Sequence, residues 1–222
     1  MKQQACKLEK EITKKVSLDY LLYLPAGYEE TNREWPLILF LHGRGERGTD
    51  VNRLQQYGLP KLVEEQEGFP FIVVSPQCPA YTTWGLENDA LLALLDDVSA
   101  RYAVDRGRIY LTGISMGGFG TWNLATEDPD RFAAIAPICS TGPTEKVHML
   151  KDVPVWVFHG SKDTTVPVHH AEEMVEKLKA CGGNPRLTIY PEADHAALTP
   201  VFYNMEIYDW FLQYSRNNPP IR

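Results

Sequence analysis

The stretch Gly113-Ile114-Ser115-Met116-Gly117-Gly118 constrains this chain more than any other. It follows the apolar run Arg108-Ile109-Tyr110-Leu111-Thr112 and leads into Phe119 to Ala125, a segment suited to a helix. A serine at such a junction sits on a sharp strand-to-helix turn. The flanking glycines admit backbone angles that other residues avoid and leave no side chain over the hydroxyl. The alternative is a glycine-rich turn that merely opens a buried helix. The rest of the chain separates the two readings.

Downstream, Val153-Pro154-Val155-Trp156-Val157-Phe158 reads as a buried strand running into His159-Gly160-Ser161-Lys162-Asp163. Leu187-Thr188-Ile189-Tyr190 reads as another, ending in Pro191-Glu192-Ala193-Asp194-His195. Ser115, Asp163 and His195 thus each fall just past the carboxyl end of a predicted strand. A serine hydroxyl is a weak nucleophile at neutral pH and needs a nearby base, which an imidazole supplies. A carboxylate then fixes the imidazole tautomer and stabilises the imidazolium. Asp194 rivals Asp163 for the acid role, but a sequence neighbour of His195 points away from its Nδ1.

Upstream, Pro36-Leu37-Ile38-Leu39-Phe40-Leu41 is continuously apolar, as a strand covered on both faces would be. It ends in His42-Gly43-Arg44-Gly45-Glu46-Arg47-Gly48. Such a loop aims backbone N–H groups at a carbonyl oxygen under attack. With the N–H of Met116 the loop would complete an oxyanion hole, Gly43 and Gly45 shaping its path. His42 and His159, each at a strand end, are read as structural props rather than bases. The charges of Arg44, Glu46, Arg47 and Asp50 read as an ion-pair network stiffening the loop, the alternative being a site for a substrate carboxylate.

These motifs resemble the α/β-hydrolase superfamily, specifically its small esterases of the phospholipase/carboxylesterase and dienelactone-hydrolase type. Several of those carry an H-G-x-G-E-R-G loop, a G-x-S-M-G-G elbow and an H-G-x-x-D segment, and the likeness covers about residues 16 to 214. The resemblance implies Ser115 as nucleophile, Asp163 as acid, His195 as base, and Arg44 and Met116 as oxyanion donors. Dienelactone hydrolases proper carry a cysteine at the position of Ser115, so their own reaction does not transfer.

At 222 residues the chain suits one domain with a substantial core, residues 1–15 forming an amino-terminal extension that could join an edge strand. Buried strands are expected at 37–41, 71–75, 109–112, 133–138, 153–158 and 186–190, with an edge strand across Val16 to Leu24. Between most of them lie helical patterns, clearest in Asn88 to Tyr102, where Leu91, Leu92, Leu95 and Val98 form one stripe. Alternating strands and helices imply an α/β fold with a mostly parallel sheet wrapped on both faces.

The net charge of −7 is spread without long single-sign runs, which argues against nucleic acid or an anionic membrane as partner. The amino-terminal segment lacks a secretory pattern and no run reaches a membrane span, so a cytoplasmic location is expected. The four cysteines, Cys6, Cys78, Cys139 and Cys181, are scattered and read as free thiols, Cys139 as a buried one. No metal cluster, phosphate loop or nucleotide fingerprint is present, so no cofactor is expected.

About a dozen residues, Cys139 to Asp152, follow the strand after the serine, too few for a large lid. An open cleft for small or polymer-linked esters follows, with Tyr81 and Trp84 either lining it or, in the case of Trp84, packing under a loop. The expected activity is a serine carboxylesterase acting on short acyl or aryl, including hydroxycinnamate, esters. A serine peptidase or thioesterase would use the same machinery, and a binding module of this fold would have lost a triad member.

Overall fold

The computed structural model describes residues 3–217. Seven strands form one sheet: β1 (Tyr20–Tyr23), β2 (Trp35–Leu41), β3 (Ile72–Pro76), β4 (Val104–Ile114), β5 (Ala134–Ile138), β6 (Trp156–Gly160) and β7 (Arg186–Tyr190). Their order is β1-β3-β2-β4-β5-β6-β7, with β1 antiparallel to β3 and every other pair parallel. The helices are α1 (Gly58–Glu65), α2 (Asn88–Arg101), α3 (Met116–Glu127), α4 (His169–Ala180) and α5 (Glu206–Phe211).

Alternation along the strands builds two cores. Leu37, Leu39, Leu41, Val74, Leu111 and Val157 face α2, α3 and α4, whose Leu95, Trp122 and Met174 close that side. Ile38, Phe40, Val73, Tyr110 and Phe158 face α1, α5 and the segment between β7 and α5, through Leu62, Phe202 and Phe211. Residues i and i+2 share a face of a strand, so a continuous apolar run can supply both cores at once. This is the doubly covered, mostly parallel α/β sheet expected from the sequence.

Two expectations need correction. The edge strand is only four residues long, and residues 3–19 form no strand. Pro25, which has no N–H, follows soon after its end. Conversely β4 starts at Val104, earlier than its apolar run, because the half-exposed Asp105 and Arg108 pair at 2.6 Å outside the fully buried part of the strand. Among the described residues no helix is long and apolar enough to cross a membrane.

The chain leaves β2 for β3 on one side and returns to β4 on the other, so the strand order reverses between β2 and β4. A crevice opens at the carboxyl ends of strands at such a reversal. Here it is lined by the loop after Leu41 and by the turn after Ile114. The two segments meet at distances only glycine allows: a Cβ on Gly117 would fall on the backbone carbonyl of Leu41, and one on Gly113 on the carbonyl of Gly117. Gly45, by contrast, has nothing within 4 Å of a Cβ position and does not shape the path as expected. Gly117→Ala should therefore destabilise the fold by on the order of 3 kcal/mol in urea denaturation. Gly45→Ala should stay within about 0.5 kcal/mol of wild type in the same measurement.

Candidate active site

Ser115 occupies the turn between β4 and α3 with φ 56° and ψ −118°, in the left-handed half of backbone space that a serine rarely adopts. The turn is held by Ser115 N–H donating to Ile138 O at 2.9 Å and by Phe119 N–H donating to Ser115 O at 3.0 Å. Met116 opens α3, so its N–H has no acceptor inside the helix and points out of the helix amino terminus. Across the crevice, the Cβ position of Gly43 lies 4.0 Å from Ser115 Cβ. The Arg44 backbone thus begins directly beside the serine.

Asp163 follows β6 and is buried, with a side chain that has no exposure. Thr165 and Val166 donate their backbone N–H groups to its Oδ1 at 2.9 and 2.8 Å. His195 Nδ1 donates to its Oδ2 at 2.6 Å. A buried charge needs such donors, and here the carboxylate holds three. With its proton fixed on Nδ1, His195 presents a bare Nε2 to the Ser115 hydroxyl, 2.8 Å away. Sequence reading named these three residues, and the fold brings them into one hydrogen-bonded line.

The turns carrying Asp163 and His195 are stitched together. Ser161 N–H donates to Tyr190 O and Lys162 N–H to Ala193 O, both at 3.0 Å, and Glu192 N–H donates to Ser161 Oγ at 3.0 Å. Gly160 permits this, since a Cβ there would strike the Ala193 carbonyl. Asp194 faces elsewhere: its Oδ1 accepts from Ala197 N–H at 2.9 Å and caps the following turn.

His42 behaves as the prop it was read to be. Cys78 N–H donates to its Nε2 at 2.9 Å, and its Nδ1 lies 2.6 Å from Gly43 O, so the neutral ring ties the loop after β2 to the loop after β3. Trp84 is fully buried and donates from Nε1 to His42 O at 3.0 Å, its ring edge-on to the imidazole. It therefore packs beneath the loop and does not line the cleft. Tyr81 is 91% exposed and stays available to a ligand.

The charged cluster is not the ion-pair network expected. Arg47 donates to the carbonyls of Arg44 and Thr82, and Gln77 Nε2 donates to the carbonyls of Glu46 and Asp50 at 2.8 and 3.0 Å. Side-chain donors to backbone carbonyls, rather than opposite charges, stiffen this loop. Among the described residues the exposed Arg44 guanidinium meets no carboxylate. Gln77 is the contributor sequence reading passed over; its one mark was a polar residue at the carboxyl end of a buried strand.

All four cysteines are free, Cys78 and Cys139 buried. Cys139 directly follows β5 with φ 49°, and burial pushes its thiol well above the ordinary cysteine range. Its Sγ, an Asp163 oxygen and a His195 nitrogen lie within 4.8 Å of one another, the one such group of potential metal ligands among the described residues. The aspartate and histidine atoms are already committed to each other, and the thiol stays protonated, so this group is assigned no metal.

The sequence profile of the dienelactone hydrolase family matches residues 84–203, more than half of the chain. The chain belongs to the dienelactone hydrolase family. It is 25% identical over 166 residues to the bifunctional acetylxylan esterase/xylanase XynS20E of Neocallimastix patriciarum, covering 72% of this chain and 24% of that protein. It is 27% identical over 166 residues to "Probable feruloyl esterase C" of Aspergillus terreus, covering 72% of this chain and 60% of that one. The crystal structure of a thermostable esterase superposes with a TM-score of 0.76 at 35% identity, over 90% of this chain and 60% of the other. The chain therefore spans between a quarter and three-fifths of the length of these relatives. In fold, a family member of this kind is an ester-hydrolase scaffold.

Burial holds the His42 pKa down at about 4, against 6.5 for the free side chain, so its sign of linkage is clear. The unfolded chain binds a proton there between pH 6.5 and about 4 while the folded chain does not. Stability should thus be fully present above pH 6.5 and fall as pH drops towards 4, by on the order of 3 kcal/mol from this group. Urea unfolding at pH 7 and pH 4.5 reads the loss. His42→Gln, which does not titrate there, should show a shallower pH slope.

Proposed function

We propose that this chain is a cofactor-independent serine carboxylesterase. The observation that carries the reading is the continuous line from Ser115 Oγ to His195 Nε2 at 2.8 Å and from His195 Nδ1 to Asp163 Oδ2 at 2.6 Å. In this reading Ser115 Oγ attacks the ester carbonyl carbon as its proton passes to His195 Nε2. The carbonyl oxygen, now an oxyanion, is held by the N–H groups of Arg44 and Met116. The tetrahedral intermediate collapses, and the leaving alkoxide takes the proton from His195. Water then repeats the sequence on the acyl-enzyme, giving the acid and restoring Ser115.

The substrate class follows from the loops. Of the short Cys139–Asp152 connection, Val147–Leu150 forms one helical turn whose Val147 and Leu150 are buried against α3 and α4. It folds down on the helix layer instead of across the cleft. Without a cover, a long acyl chain would leave apolar surface in water and gain little burial per methylene. Acetyl to butyryl esters are the preferred substrates, and aryl esters such as hydroxycinnamates are accepted with Tyr81 as a stacking face. The names of the acetylxylan and feruloyl esterase relatives support the same two acyl classes.

Ser115→Ala should lower hydrolysis of p-nitrophenyl acetate by at least about 10⁴-fold with an unchanged circular dichroism spectrum. A fluorophosphonate probe should label Ser115 in the wild type, and retention of activity in the variant would remove it as nucleophile. Asp163→Asn should cost about 10⁴ in kcat, whereas Asp194→Asn should leave kcat within a few-fold. Across a series of p-nitrophenyl esters kcat/KM should peak at two to four carbons. A steady rise beyond about ten carbons would reveal a deep acyl tunnel in place of an open cleft.

A further inference from the structure

His159 stands behind the acid of the triad, and the reaction as derived leaves it no part. It lies one residue before the end of β6, and its side chain has no exposure. Its Nε2 is 2.7 Å from Val166 O and 3.4 Å from Asp163 Oδ2. Both neighbours are acceptors, so the ring proton sits on Nε2. That leaves Nδ1 with a bare lone pair, and this atom is buried without a hydrogen-bond partner.

An unpaired buried nitrogen costs stability that an apolar ring of the same size would not. Filling space therefore does not explain an imidazole here. Its Nε2–H does. Asp163 accepts from the Thr165 and Val166 N–H groups, Val166 O accepts from His159, and the ring thereby closes the 163–166 turn beneath the carboxylate. The same nitrogen lies 3.4 Å from the oxygen that receives His195 Nδ1–H, close enough for its N–H dipole to act on that oxygen through space.

We propose that His159 is a positioning residue for the acid and base: its Nε2–H locks the Asp163 turn and draws charge from Oδ2, setting how strongly His195 holds its proton. The kinetic consequence rests on the serine-esterase reading above. The groups facing the ring are Asp163 on its own turn, His195 from the turn after β7 and His170 from α4; Cys139 at the end of β5 faces Asp163. Burial keeps the ring neutral, reinforced by His195 and His170 and opposed by the Val166 hydrogen bond and by Asp163. Without the donor, Oδ2 becomes a stronger acceptor and favours the His195 imidazolium. His195 would then surrender its proton less readily to the leaving group.

The test compares His159→Gln, whose amide nitrogen reaches the position of Nε2, with His159→Phe, which fills the space without a donor. His159→Phe should move the acid limb of kcat/KM up by roughly half a pH unit and lower kcat roughly tenfold with little change in KM. His159→Gln should keep the wild-type limb and kcat within about twofold. Should the Phe variant fail to fold, His159→Asn, too short to reach Val166 O, takes its place with the same expectation. An acid limb unmoved in the donor-free variant, or equal losses in Gln and Phe, would overturn the proposal. The His195 titration, followed by NMR in a Ser115→Ala background, gives a readout independent of turnover: its midpoint should rise in Ser115→Ala/His159→Phe and stay put with Gln. If Ser115→Ala remains active, the esterase reading falls, while this NMR comparison still decides the role of His159.

Discussion

Contact between the Gly117 backbone and the Leu41 carbonyl is the constraint on which the site depends. It lets the turn after β4 close against the end of β2, at the reversal of strand order, with no side chain between them. Ser115 is thereby held at a positive φ that its own side chain would otherwise resist. The same closeness sets the Gly43–Arg44 backbone against the serine and leaves the first N–H of α3 facing the crevice. Strain at one residue is balanced by packing over the whole sheet, since β2 and β4 are buried along most of their lengths.

A second theme is the use of neutral, buried histidines as struts. His42 and His159 each stand at the end of a strand, each bonded to a backbone carbonyl of a loop at the site, and burial holds each below the ordinary imidazole range. An uncharged imidazole offers one donor and one acceptor in a rigid ring, which suits it to bracing a turn inside a core where a charge could not be solvated. Around Asp163 the logic inverts. The charge is kept, and backbone N–H groups at 2.8 and 2.9 Å are arranged to hold it.

Much of this was legible in the sequence because the chemistry and the fold coincide at strand ends. The runs 37–41, 109–112 and 153–158 are almost wholly apolar and read as interior strands, and the polar residues that follow them lie at one rim. Ser115 and Asp163 fall there by position alone, and His195 follows the half-exposed strand β7. Side-chain direction was not legible. Trp84, an aromatic in a rim loop, could have lined the cleft, and only packing against His42 shows that it points inward. The loop charges Arg44, Glu46, Arg47 and Asp50 promised ion pairs, whereas the donors chose backbone carbonyls, which carry no sequence mark. Gly45 and Gly43 look alike in the sequence, and only the space around each tells them apart.

Asp163 and His195 follow β6 and β7, the last two strands of the sheet, and β7 has no neighbour on its outer side among the described residues. Its five residues are exposed or half-buried, while β2, which sits against the nucleophile turn, is buried throughout. The turn that carries Ser115 thus rests on a strand buried throughout, whereas the strand that leads to His195 is an open edge. Local openings of a protein begin where few apolar contacts must be broken. Opening at that edge would therefore disturb the turn that carries His195 before it reached the turn that carries Ser115.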